Sequence, residues 1–155
     1  RSQFTYLDES AAKIDMVLGD ARLAMEREAP QNYDVIAVDA FSSDAIPVHL
    51  ITLEAMDAYL RHLKPRGIVA FHVTNRYLDL KPVVKLLAEA RGLRAINVED
   101  DGEGRHGAST DWVLVSRDAS VFKSAAFEGV VDEIASKPGL PVWTDDFSNL
   151  FQVLK

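Results

Sequence analysis

The sequence predicts an α/β fold built on a mostly parallel sheet, and three observations predict it. Apolar runs of strand length recur along the chain, notably Val35 to Val38, Ile68 to Val73 and Ala95 to Val98. Stretches with apolar residues at helical spacing separate them. Pro, Gly and Asp punctuate the junctions. Strands that alternate with helices indicate a parallel sheet, because a parallel neighbour is reached only through a crossover.

The elements follow in order. Ile14 to Leu18 reads as a short strand ending in Gly19-Asp20-Ala21-Arg22. A helix follows over Ala21 to Glu28, stopped near Pro30, with Asp20 placed to cap it. Val35 to Val38 reads as a strand covered on both faces, since its apolar residues do not alternate with polar ones. From Asp39 the chain enters a loop rich in Ser, Asp and Pro. Thr52 to Leu63 is helical by the spacing of Met56, Tyr59, Leu60 and Leu63, and Lys64-Pro65-Arg66-Gly67 breaks it. Ile68 to Val73 is a second buried strand.

The next helix starts near Asp79, with Pro82 in its first turn and Gly92 just past its end. Leu80, Val83, Val84 and Leu87 form its core face. Ala95 to Val98 is a strand, Glu99 to Thr110 a polar loop, and Trp112 to Ser116 a strand that returns antiparallel and adds an edge. A helical region is predicted over Ser120 to Ser136. The tail, from Pro141 on (residues 141–155), is expected to dock by burying Trp143, Phe147, Leu150 and Phe151 while Asp145 and Asp146 face water. An alternative has those two acids closing over a cationic site.

At 155 residues the chain is read as a single domain, 1–155. It opens on Arg1 rather than Met, as expected of a cloning or processing boundary. No signal peptide is visible, and the longest apolar runs are too short to span a bilayer. The absence of cysteine excludes disulfides and thiolate chemistry. A net charge of −7 with no basic stripe argues against nucleic acid and suits a cationic small substrate or simply an acidic soluble domain. His49, His62, His72 and His106 have no metal-ligand spacing. His72 reads as a core histidine and His49 as a residue that could line a site.

The chemistry points to the end of the Val35 to Val38 strand. In an open α/β sheet, ligands bind outside the carboxyl ends of the strands. Asp39 stands at such an end and Asp44 on the loop that follows. A carboxylate there can accept a proton or hold a cation, or it can form a turn. No G-x-G-x-x-G, P-loop or G-x-S-x-G occurs.

The order β-α-β-α-β-α-β-β-α-tail resembles a Rossmann-like, methyltransferase-type sheet with an antiparallel C-terminal strand, whose N-terminal Gly-rich strand-loop-helix is missing. Leu18-Gly-Asp-Ala-Arg22, Tyr33-Asp-Val-Ile-Ala-Val-Asp39 and Leu63-Lys-Pro-Arg-Gly67 resemble the spermidine synthase (polyamine aminopropyltransferase) family. Asp39-Ala-Phe-Ser-Ser-Asp-Ala-Ile-Pro-Val-His49, Asn75-Arg-Tyr-Leu-Asp-Leu80 and Trp143-Thr-Asp-Asp-Phe-Ser-Asn149 resemble a bacterial branch often fused to membrane segments. The resemblance covers nearly the whole chain and matches the C-terminal part of that catalytic domain.

It implies transfer of an aminopropyl group from decarboxylated S-adenosylmethionine, as co-substrate, to an amine such as putrescine. It implies Asp39 as the catalytic aspartate that accepts the amine's proton, Asp44 as an anchor for substrate charge, and Asp20 with Ala21 at the adenine. It further implies a cytoplasmic domain, a homodimer, and membrane-spanning segments in the full-length protein. The alternatives are an S-adenosylmethionine-dependent methyltransferase and a non-catalytic binding or regulatory domain of a membrane protein. In the full fold two further strands separate the strand ending at Gly19 from the Val35 to Val38 strand, and without them its backbone donors need other partners. That predicts an exposed edge, and with it a dimer or a rearranged N-terminal segment.

Overall fold

A computed structural model describes residues 5, 7–40, 47–100 and 109–155. Among these residues, three α-helices and five strands form an α/β domain: α1 (Ala21–Arg27), β1 (Tyr33–Val38), α2 (Leu53–His62), β2 (Leu63–His72), α3 (Lys81–Glu89), β3 (Arg94–Asp100), β4 (Thr110–Ser116) and β5 (Val131–Asp132). Single 3₁₀ turns occupy Val48–Leu50, Ala119–Lys123, Ala125–Phe127 and Leu150–Val153. The sheet is mixed, in the order β1-β2-β4-β3-β5. β1 and β2 are parallel, while β4 runs antiparallel to both β2 and β3. Strands β1, β2 and β3 therefore share one direction.

The antiparallel return is as expected, but its place is not. β4 lies between β2 and β3 instead of on the edge, and the outer place is taken by β5, paired with Asn97 and Val98 of β3. Val113 and Val115 are fully buried there, in the core beneath the helices. Register puts Ile36, Val38, Val69, Phe71, Val113 and Val115 on one face. That face packs against Met56, Tyr59 and Leu60 of α2 and Val83, Val84 and Leu87 of α3 as one core.

Three other expectations are corrected. Ile14 to Leu18 is not a strand, and its apolar side chains are exposed, Leu18 by 90%. A strand needs a neighbour for its backbone groups, and among the described residues β1 pairs only with β2. β1 is accordingly not covered on both faces: Ile36 and Val38 are buried, while Val35 on the opposite face is 58% exposed. The segment 120–136 is not a helix. Ser124 is extended and Gly129 takes φ +76, so the chain breaks into 3₁₀ turns and then pairs as β5.

β2 also begins earlier than expected. Leu63 pairs with Tyr33, and the ladder resumes at Val35 and Ile68, so Lys64 to Gly67 bulge outward between the two contacts. Gly67 is required there, because an added Cβ would lie 2.6 Å from Leu63 Cγ and 3.0 Å from the Tyr33 carbonyl.

The tail returns to the body. Trp143 and Val153 are fully buried. The Trp143 carbonyl accepts from the Leu53 N–H at 2.9 Å, satisfying a free donor in the first turn of α2. Phe147, Leu150 and Phe151, expected to bury, are exposed. Trp143 alone of the tail aromatics enters the core. Trp143→Ala is expected to cost about 3–5 kcal/mol by urea unfolding, whereas Phe151→Ala, at 84% exposure, should fall within about 0.5 kcal/mol of the parent.

Candidate functional site

A cavity of about 420 Å³ opens between the start of α1, the Val48–Leu50 turn, the start of α2 and the tail. Asp20, Arg22, His49, Thr52 and Asp145 are among its lining residues. Because α2 carries the chain back from the end of β1 to the start of β2, its N-terminus lies at the carboxyl end of the parallel strands, where α/β sheets place ligands.

Each side chain is held there by local structure. Asp20 is the N-cap of α1, its Oδ1 accepting from the Leu23 N–H at 2.9 Å. Its Oδ2 lies 3.0 Å from His49 Nε2. The Leu23 N–H first, and then His49, hold the Asp20 carboxyl below its usual range. Thr52 caps α2 through the Ala55 N–H at 3.2 Å. Tyr59 fixes the Val48–Leu50 turn by donating to the Leu50 carbonyl at 2.9 Å, and burial pushes its phenol up.

Arg22 joins these pieces. It is only 8% exposed. Nη1 and Nη2 donate to the two carboxylate oxygens of Asp145 at 2.6 and 2.5 Å. Nη1 also reaches the His49 carbonyl at 2.8 Å, and Nε donates to Glu26 at 2.8 Å. Thr52 Oγ1 donates to Asp145 at 2.8 Å, and Glu54 accepts from the Asp145 N–H at 2.9 Å. The guanidinium first, and then the Thr52 hydroxyl, hold the Asp145 carboxyl low. Asp145, expected to face water or close on a cation, is already paired with a cation of its own chain.

Asp39 forms a second locus. It follows β1 directly, and its Oδ1 lies 2.7 Å from His72 Nδ1 at the end of β2. The His72 ring stacks on Trp112, with centroids 4.8 Å apart. The Asp39 side chain is 57% exposed. Asp39 is not among the residues lining the Asp20 cavity. Ala21 opens α1 and is exposed, as is Asp146. Asp44 lies outside the described residues.

The structure thus brings Asp20 and Asp145 together and sets Asp39 beside a histidine. Sequence reasoning missed Arg22 and Thr52. Thr52 carried a cap signal, one residue before a helical pattern, but the Arg22–Asp145 pair spans 123 residues and no local spacing announces it.

No family model and no curated protein matches the chain. Among solved structures, it resembles MnmC2 from Aquifex aeolicus, with 19% identity over 74% of this chain and 36% of that one, at a TM-score of 0.49. It also resembles a probable spermidine synthase from Corynebacterium glutamicum, with 23% identity over 64% of this chain and 36% of that one, at a TM-score of 0.46. The chain therefore spans little more than a third of either structure. Among the described residues, no helix is long and apolar enough to cross a membrane.

Arg22→Met should leave Asp145 and Thr52 without their shared donor and destabilise the fold by about 1–3 kcal/mol at pH 7. Because the pair lowers the Asp145 pKa, its contribution is present above the unfolded carboxylate value, near 4. It is lost as pH falls through the lower folded value. Urea unfolding of parent and variant should accordingly converge below about pH 4, and a gap independent of pH would contradict the assignment.

Proposed function

We propose that the chain is the C-terminal part of a spermidine-synthase-like aminopropyltransferase domain. The observation that carries the reading is Asp39: an exposed carboxylate at the carboxyl end of a parallel strand, with one oxygen engaged by His72. The sequence motifs around Asp20 and Asp39 support it, as does a cavity of small-molecule size at the same end of the sheet.

On this reading the substrates are decarboxylated S-adenosylmethionine and an amine such as putrescine. The amine binds as a cation and must lose a proton to expose its lone pair. Asp39 takes that proton, directly or through water. The nitrogen then attacks the propyl carbon next to sulfur, a C–N bond forms, and the C–S bond breaks with its electrons going to sulfur. Methylthioadenosine leaves. Much of the rate comes from alignment of nitrogen, carbon and sulfur. Asp20, with Ala21 beside it, receives the adenine, and Asp44 and Asp146 contribute negative potential. Asp20 would meet the base while still capping α1, since a carboxylate offers more acceptor positions than its two present partners use. The protein works in the cytoplasm, as a homodimer that covers the open edge of β1, with membrane-spanning segments in its full-length form.

Calorimetric titration with methylthioadenosine tests the nucleoside site. Binding that Asp20→Ala weakens at least tenfold is expected. Equal binding by that variant would remove Asp20 from the site. Preference for S-adenosylhomocysteine over methylthioadenosine would favour methyl transfer instead.

A further inference from the structure

We propose that His72 is a positioning residue for Asp39: it holds one carboxylate oxygen so that the other is presented to a substrate ammonium. This rests on the amine-site reading of Asp39 and adds a residue to it. The register of the sheet is the first observation. Val38 pairs with Phe71 in the parallel ladder, so the next residue on each strand sets Asp39 opposite His72. The pairing is therefore fixed by backbone hydrogen bonds rather than by a chance meeting of surface side chains.

The second observation is the direction of the hydrogen bond. An ionised carboxylate only accepts, so Nδ1 of His72 must carry the proton of the 2.7 Å contact. That selects the Nδ1–H form of the neutral ring. The third is rigidity. His72 pairs with Trp112 across the antiparallel ladder and stacks on its indole at an interplanar angle of 21°. The His72 side chain is 23% exposed and that of Asp39 is 57% exposed. The histidine is thus the packed member and the aspartate the presented one. Oδ1 is engaged by His72, and Oδ2 is the oxygen presented to the ligand.

The geometry also divides the labour between the two residues. His72 is well placed to fix a side chain that would otherwise sample several rotamers at the end of an edge strand. Fixing it before the substrate arrives lowers the ordering cost of binding.

The test uses the whole chain, with 1,4-diaminobutane as the probe. Nitrogen-15 spectra of the histidine rings, at a pH where His72 is neutral, should show it protonated at Nδ1. Asp39→Ala should shift it toward the Nε2–H form that free imidazole side chains favour. A ring protonated at Nε2 in the parent overturns the proposal.

Calorimetry then compares three variants with the parent. His72→Phe keeps the stack and loses the donor, and should weaken diamine binding about tenfold. His72→Asn restores a donor near the Nδ1 position and should recover affinity to within about threefold. Asp39→Ala should abolish binding. If Asp39→Ala abolishes binding while His72→Phe leaves it unchanged, the amine site stands and the positioning role falls. If the parent itself binds no diamine, the amine-site reading falls and takes this role with it.

Discussion

The Arg22 guanidinium ties three separate pieces of chain to one place. It extends from the first turn of α1 to the carbonyl that ends the His49 peptide, to the Thr52 cap of α2, and to Asp145 of the tail. Burying an arginine is unfavourable unless its donors are met. Here Nε, Nη1 and Nη2 all find acceptors, and the bidentate arrangement with Asp145 is the strong geometry for a charged pair. The walls of the Asp20 cavity are the same three pieces. Remove the guanidinium and the cavity loses the link between α1 and the tail, while Thr52, Glu54 and Trp143 still hold the tail to α2.

The sheet sets the second constraint. Its helix-covered face is closed by α2 and α3, and the residues there are almost fully buried. On the opposite face the cover fails at β1, where Tyr33 and Val35 are 42% and 58% exposed. β1 also keeps one edge unpaired among the described residues. Apolar residues on both faces of a strand are the pattern of one buried on both. β1 has that composition without that burial, and Ile14 to Leu18, although composed like a strand, is likewise exposed.

Legibility in the sequence followed the range of the interactions. α2 and α3 were readable because their apolar periodicity is local, and each has a boundary marker nearby: Thr52 before the first, and Gly92, at φ +65, after the second. β2, β3 and β4 were readable as apolar runs, and β4 as an antiparallel return. Its insertion between β2 and β3 was not, because strand order depends on pairings far apart in sequence. The segment 120–136 misled because its spacing suggests a helix, while Gly129 and the β-branched pair Val130 and Val131 favour the turn and strand that form. At the site, Asp20 and Asp39 were visible as acids at element boundaries. Their partners were not, since Asp39 meets His72 only through the β1–β2 register, and Arg22 meets Asp145 only after the tail has folded back.

The central functional claim is that Asp39 removes a proton from an amine that then displaces methylthioadenosine. The most direct measurement is release of methylthioadenosine from decarboxylated S-adenosylmethionine in the presence of a panel of amines, for the parent chain and Asp39→Asn. The account predicts release that requires an amine, yields the aminopropylated product in equal amount, and falls at least a hundredfold in the variant. Release without an amine, release undiminished in Asp39→Asn, or no release with any amine would contradict it.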